Sequence, residues 1–477
     1  MSADLIQQVV RDVIKEVVAS TPGLEAPQKE ITDGVFPDMS QAVEAAHTAW
    51  QEYLDKPMAL RAKIVAAIKA VGTDPANCQH MAEQAVLETG MGNVPDKVVK
   101  NRLSCELTPG VEDIQTEALS GDDGLTVYEQ SPFGVIGAIT PTTNPTETIF
   151  ANAISMLAAG NAVVFSPHPR AKKLSIWLIR RLNAALAEVG APKNLIVTVE
   201  EPSIESTQVM MSHKLVRMLV ATGGPAIVHT VLSSGKKAIG AGAGNPPVVV
   251  DQTADLKRAA KCIVDGASFD NNLPCTAEKE VIAVGSICDL LRFHMIKQGA
   301  YELRDPAQIQ ALADLVVDVD EKWRAEGGAR PKTEWVGKDA VVILRALGID
   351  PPAGTRLIIC EVPFEHAFVQ TELMMPVLPI VRCKDVNEGI ELAFQAEHGF
   401  RHTAIMHSLD VNALTKMGRR MQTTIFVKNG PSYAGIGIGG EGNIAFTIAG
   451  PTGEGLTTAR TFSRKRKCVL AGGLNVR

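Results

Sequence analysis

With 477 residues, the chain is too long for one ordinary hydrophobic core, so two or three domains with ample buried apolar surface are expected. A formal charge of −6 leaves no basic footprint, which argues against nucleic acid or an anionic membrane as the main partner and requires any phosphate-bearing ligand to be met locally. The eight cysteines form no C-x-x-C pair, which speaks against a zinc site and a disulfide framework and fits a reducing cytosol. No apolar run approaches the ~20 residues that span a bilayer, and the first residues lack the charged-then-apolar order of a signal peptide.

Residues 1–18 place Leu5, Ile6, Val9, Val10, Val13, Ile14, Val17 and Val18 in pairs four apart, with polar residues between them, the pattern of an amphipathic helix. Thr21-Pro22-Gly23 ends it, and residues 19–35 read as a linker. A helix this short is marginal alone and needs a cover for its apolar stripe. Its own body or another protein would supply one, and the linker favours the second. Residues 38–88 carry a helical pattern, with Pro57 suited to a first turn and Gly72 and Gly90 to helix ends.

From residue 135 apolar runs alternate with helical stretches: 135–139 then 146–159, 162–165 then 171–189, 195–199 then 203–211, 218–221 then 226–232. This order predicts a parallel sheet covered by helices on both faces, with ligands beyond the carboxyl ends of its strands. The loops opening at Thr140, Ser166 and Thr222 should therefore face one crevice, of a geometry that suits a dinucleotide. Its candidate cofactor contacts are Thr140, Pro141, Thr142, Ser166 and His168. No G-x-G-x-x-G is present; Gly223 and Gly224 are the nearest substitute, since glycine allows close backbone approach and a helix N-terminus offers free N–H groups. A tight strand-to-helix turn also wants glycine, so the pair alone decides nothing. The glycine run 240–244 leads into the apolar 248–250 and marks a boundary between two domains.

The second unit, residues 255–421, is built around Cys275, which follows the polar, turn-rich run 268–272 and precedes the strand-like 279–284. A cysteine so placed is a candidate nucleophile, although a lone cysteine is more often a small buried hydrophobe. His398 and His402 stand four apart, but with Gly399 between them and no neighbouring carboxylate or thiol triad a metal site is not expected. The tail passes a glycine-rich loop, 435–442, to a strand-like 467–470.

Pro141-Thr142-Thr143-Asn144-Pro145, then Asn272-Leu273-Pro274-Cys275, then the E-x-x-x-P-V segment from Glu372 to Val377 stand in the order of the aldehyde dehydrogenase superfamily, which the chain resembles over essentially its whole length. Residues 240–247, 424–431 and 451–455 resemble its coenzyme A-acylating branch from bacterial microcompartments, acting on propionaldehyde or acetaldehyde. The resemblance implies an α/β fold: a Rossmann-type cofactor domain (36–115 and 132–247), an α/β catalytic domain (248–430), and a small β oligomerisation arm (116–131 and 447–477) that builds homodimers or homotetramers. It implies Cys275 as nucleophile, Asn144 with the Cys275 N–H as oxyanion donors, Glu372 on the nicotinamide ribose, and coenzyme A as co-substrate. It also implies a place in the cytoplasm inside a microcompartment, with residues 1–18 bound to a shell protein.

The chemistry agrees. An aldehyde does not release hydride directly; addition of a thiolate makes a tetrahedral hemithioacetal whose oxyanion expels hydride and leaves a thioester. Hydrolytic members carry a glutamate just before a glycine pair, and Gly240 takes the corresponding place here, so the thioester should await coenzyme A, part of which is thiolate at neutral pH. Ser166-Pro167-His168-Pro169 replaces the usual Lys-Pro-Ser-Glu, so the acidic residue on the adenosine ribose is lost; NAD is the expected cofactor and NADP stays open. Two other readings remain: a hydrolytic NAD(P)-dependent enzyme giving the free acid, and a non-catalytic shell-associated protein. The intact Cys275, Asn144 and Glu372 speak against the last.

Overall fold

The computed structural model describes residues 33–318 and 329–475, so the helix expected over 1–18 and residues 19–32 of the linker lie outside it. The linker, expected to run to residue 35, stops short of it. The Asp33 carboxylate accepts the Val35 N–H at 3.1 Å, and Val35 and Phe36 pair with Thr198 and Val199.

These two residues open the first sheet. Its strands are β1 (Val35–Phe36), β2 (Val135–Thr140), β3 (Ala162–Pro167), β4 (Ile196–Val199), β5 (Val216–Thr222) and β6 (Lys237–Ala241), in the order β1-β4-β3-β2-β5-β6. Every pairing is parallel. β2, β3 and β4 are buried on both faces, which is why they read as unbroken apolar runs rather than as alternation. β6 is an addition to the expected strands: its Lys-Ala-Ile-Gly-Ala carries little apolar bulk, and pairing with β5 recruits it. The strand order reverses at β2, where β3 lies on one side and β5 on the other, so a crevice opens beyond their carboxyl ends.

Among the helices, α1 (Val94–Glu106) buries an unusual set, Lys97, Lys100, Asn101, Ser104 and Cys105. α2 (Pro145–Ala158) follows β2 and is buried along its whole length, as a helix without a polar face must be. Gly72 was expected to end a helix but lies inside Met58–Thr73. A Cβ there would fall 2.0 Å from Cys105 Sγ of α1 and 2.9 Å from the Phe150 ring of α2, so close approach of three helices, not termination, demands glycine. α3 (Pro225–Leu232) links β5 to β6, and α4 (Leu256–Ser268) leads into the cysteine loop.

The second sheet comprises β7 (Pro247–Val250), β8 (Glu280–Val284), β9 (Ala300–Leu303), β10 (Leu357–Glu361), β11 (Val377–Cys383), β12 (Thr403–His407) and β13 (Ile425–Lys428), parallel throughout in the order β9-β10-β11-β8-β7-β12-β13. Alternate residues feed two cores, as the period of a strand dictates: Val249, Ile282 and Ile358 pack on one face, and Val248, Val250, Val281 and Ile359 on the other. A third, antiparallel sheet joins Glu117–Gly121 and Gly124–Pro132 to Ser463–Ala471, the last pairing along all nine residues of its neighbour.

Candidate active site

The loop between α4 and β8 carries three consecutive non-glycine residues in the left-handed region, Asp270, Asn271 and Asn272, with φ of 45°, 55° and 65°. Each such residue costs roughly 1–2 kcal/mol, so the run persists only because its surroundings hold it. The Asp270 carboxylate accepts Lys97 Nζ at 3.0 Å and the Asn93 N–H at 2.9 Å. Asn271 donates to Gly337 O and to Asp339, and Asn272 donates to Ala267 O and Glu278 O. Lys279 closes the loop from behind, its Nζ donating to Asn272 O at 2.9 Å and Oδ1 at 2.7 Å. Gly92 is required beside it, because a Cβ there would meet Asp270 Oδ1 at 2.1 Å.

This loop presents Cys275, half-buried, to a cavity of about 730 Å³. The same cavity is lined by Thr140, Pro141, Thr142 and Asn144 from the end of β2, Ser166 and His168 from the end of β3, Gly223 and Gly224 between β5 and α3, and Glu372. All ten residues singled out from sequence thus share one space. Eight of them come from the carboxyl ends of β2, β3 and β5 or the turns beyond, where the parallel order puts a ligand crevice.

Burial pushes the Cys275 thiol up to about 12, with the Glu372 carboxylate adding to the shift; Lys279, the residue's own N–H and Lys100 act in the opposite sense. Burial also raises Glu372, against the Lys279 charge and the Gly244 N–H that its carboxylate accepts. Glu372, expected on a ribose, therefore stands within electrostatic reach of the thiol. Glu278, behind the loop, is pushed up to about 7 by burial, while Ser432 donates to it from N–H at 2.8 Å and from Oγ at 2.6 Å.

One correction concerns Gly240. Its Cβ position points at Val228 and Leu232 of α3, 2.7 and 3.3 Å away, so it faces away from the cavity. Ala241, Gly242 and Ala243 line the cavity instead, and none brings a carboxylate. Strand alternation in β6 makes the two neighbours face opposite ways, and an offset of one residue is what a gapless reading of a glycine run misses. The glycine that matters is Gly244: a Cβ there would lie 2.9 Å from both Cys275 O and His402 Cγ.

Sequence reasoning passed over Lys100, Lys97, Asp270, Lys279 and Glu278, and weighed His402 only as a metal ligand. His402 lines the cavity; its Nδ1 shares a hydrogen bond with Thr403 Oγ1 at 2.8 Å, while Nε2 has no partner among the described residues. Burial, and after it the Lys279 charge, pulls its pKa down to about 4, so the imidazole is neutral at pH 7.

A dinucleotide fits the crevice on two observations. The Thr140 hydroxyl is buried without a partner among the described residues, and at Gly224 a Cβ would project into open space at the N-terminus of α3, where backbone N–H groups suit a phosphate.

Residues 12–305 match the model of the aldehyde dehydrogenase family. A propanal dehydrogenase (CoA-propanoylating) of Salmonella typhimurium is 47% identical over 100% of both chains. Among solved structures, propionaldehyde dehydrogenase of Rhodopseudomonas palustris, with bound CoA and an acylated cysteine, is 61% identical with a TM-score of 0.91, covering 94% of this chain and 100% of that one. The propionaldehyde dehydrogenase of the Clostridium phytofermentans fucose utilisation microcompartment is 48% identical with a TM-score of 0.89 over 93% and 100%.

Proposed function

The chain belongs to the aldehyde dehydrogenase family, and from that premise we propose that it oxidises a short-chain aldehyde, propionaldehyde or acetaldehyde, to the acyl-coenzyme A. Cys275 adds to the carbonyl carbon and becomes a thioester after hydride leaves. Asn144, with the Cys275 N–H, stabilises the oxyanion of the tetrahedral adduct. A nicotinamide dinucleotide, when bound, accepts the hydride. Thr140 to Thr142, Ser166, His168, Gly223 and Gly224 hold it, with Glu372 at its nicotinamide end. Pro169, just beyond β3, stands where the family's usual carboxylate would be, so this end of the crevice sets no carboxylate against a 2′-phosphate, and NADP is the alternative to NAD.

His402 completes the second half-reaction. A neutral imidazole with an unpartnered Nε2, across Gly244 from Cys275, is placed to take the proton of the coenzyme A thiol as it attacks the thioester. That placement is the observation that carries the acylating reading over the hydrolytic one, since Ala241 and Gly242 bring no carboxylate to activate water. The test is product identity: with propanal, NAD and coenzyme A, propanoyl-coenzyme A should accumulate in step with NADH. Free propanoate as the main product would make the enzyme hydrolytic, and NADH formation by Cys275→Ala would remove the covalent mechanism.

For its surroundings, the likeness to a microcompartment enzyme and the amphipathic pattern of residues 1–18 support docking of that segment to a shell protein by a helix in a groove. Deleting residues 1–18 should leave kcat and KM nearly unchanged and release the enzyme from the compartment. Retention of the truncated enzyme would refute this. The antiparallel arm, exposed along Ser463–Ala471, is assigned to self-association into a dimer or tetramer.

A further inference from the structure

Lys97, Lys100, Asp270 and Glu147 form a buried group of two cations and two anions, each at most 1% exposed. Lys100 Nζ lies 2.5 Å from Asp270 Oδ2, 3.3 Å from Glu147 Oε1 and 2.5 Å from Asn144 Oδ1. An ammonium has three hydrogens and no acceptor, so the Asn144 atom that takes its hydrogen bond must be the amide oxygen, while Asp270 and Glu147 hold the charge as ion-pair partners, Glu147 Oε1 accepting no hydrogen bond among the described residues. The amide is left with Nδ2 as its free end; Thr143 Oγ1 at 3.2 Å engages no more than one of the two hydrogens.

We propose that Lys100 is the positioning residue of the oxyanion donor: it pins the Asn144 oxygen on the α1 side and so presents Nδ2, never Oδ1, to the reacting carbonyl. The inference rests on the assignment of Asn144 as that donor. Without Lys100 the two ends of the amide become nearly equivalent, and a flipped amide sets an oxygen lone pair against the developing oxyanion. Because Asp270 belongs to the cysteine loop and Glu147 to α2 next to Asn144, the same ammonium also ties the nucleophile loop to the donor loop. Lys97 shares the burial and Asp270, but its other contact is Thr143 O at 3.4 Å and not the amide. A buried ion group is weak support for stability, since apolar side chains of the same volume often serve as well, and orientation is what apolar side chains cannot supply.

A double-mutant cycle tests this, read as kcat for propanal-dependent NADH formation with near-UV circular dichroism as the check on folding. Lys100→Met should lower kcat roughly ten- to a hundredfold with the propanal KM within about twofold. In an Asn144→Ala background the same change should cost less than about twofold, because the group it orients is gone. Lys100→Gln, which keeps a donor toward Oδ1, should recover about fivefold or more over Lys100→Met. If Lys100→Met does not fold, the cycle is read with Lys100→Gln, whose loss must likewise vanish beside Asn144→Ala. Losses that multiply, a wild-type kcat in Lys100→Met, or no advantage of Gln over Met would overturn the positioning role while leaving Asn144 as donor. A wild-type kcat in Asn144→Ala would instead remove the donor assignment and the inference with it.

Discussion

A thiol pushed up to about 12 is almost wholly protonated at neutral pH, so the neighbours of Cys275 decide when it becomes a nucleophile. Desolvation acts first, and the Glu372 carboxylate acts in the same sense. Neutralising that carboxylate removes an upward contribution and must lower the thiol pKa. Glu372→Gln should therefore be alkylated by iodoacetamide several-fold faster than the wild type near pH 7.5 in the absence of ligands, with the midpoint of its pH profile displaced downward. A midpoint that stays or rises would show that the thiol does not feel Glu372. Ligands that draw Glu372 toward a ribose would act in the same direction as the substitution.

Among the connecting elements, the turn from β6 to β7 and the turn from α4 to β8 meet at Gly244. Gly244→Ala puts a methyl 2.9 Å from Cys275 O and the His402 ring, and a backbone carbonyl is not a yielding neighbour. The variant should fold yet lose on the order of tenfold or more in kcat, whereas Gly240→Glu should cost stability against α3 without producing free acid. Equal kcat in Gly244→Ala and wild type would mean that the contact relaxes freely. Glu278, behind the same loop, has a pKa of about 7 against a usual 4.5, so the folded state binds a proton that the unfolded state has released. Its contribution is fully present below pH 4.5 and is lost as pH rises through 7, a difference on the order of 3 kcal/mol at most. Glu278→Gln should accordingly flatten the decline in Tm between pH 5 and 8.5; an undiminished decline would place its origin elsewhere. Sequence alone showed β2 to β5, β7 and β8, the crevice and ten of its lining residues because these lie within short contiguous runs, whereas β1, β6 and the strands from β9 to β13 were not singled out. It did not show Lys97 and Lys100. On α1 they share a face with Asn101 and Ser104, and a polar face at helical spacing reads as solvent-exposed. Here it is buried because Asp270 and Glu147, far along the chain, neutralise it.

At the scale of the whole molecule, one cavity serves both the thiol and the dinucleotide cradle, and coenzyme A carries an ADP moiety of its own. NADH should leave before coenzyme A enters, giving ping-pong kinetics and competition between NAD and coenzyme A. A titration in which both bind at once would sink this. The left-handed run at Asp270, Asn271 and Asn272 bears on a different property. Its anchors come from Asn93 and Lys97, some 175 residues earlier, and from Gly337 and Asp339, more than sixty later. Local sequence disfavours that conformation, so a chain in which those distant segments have not yet docked holds an ordinary flexible cysteine. The geometry that presents Cys275 to the cavity is therefore a late product of folding and an early casualty of denaturant: activity should disappear at urea concentrations where the helices are still intact.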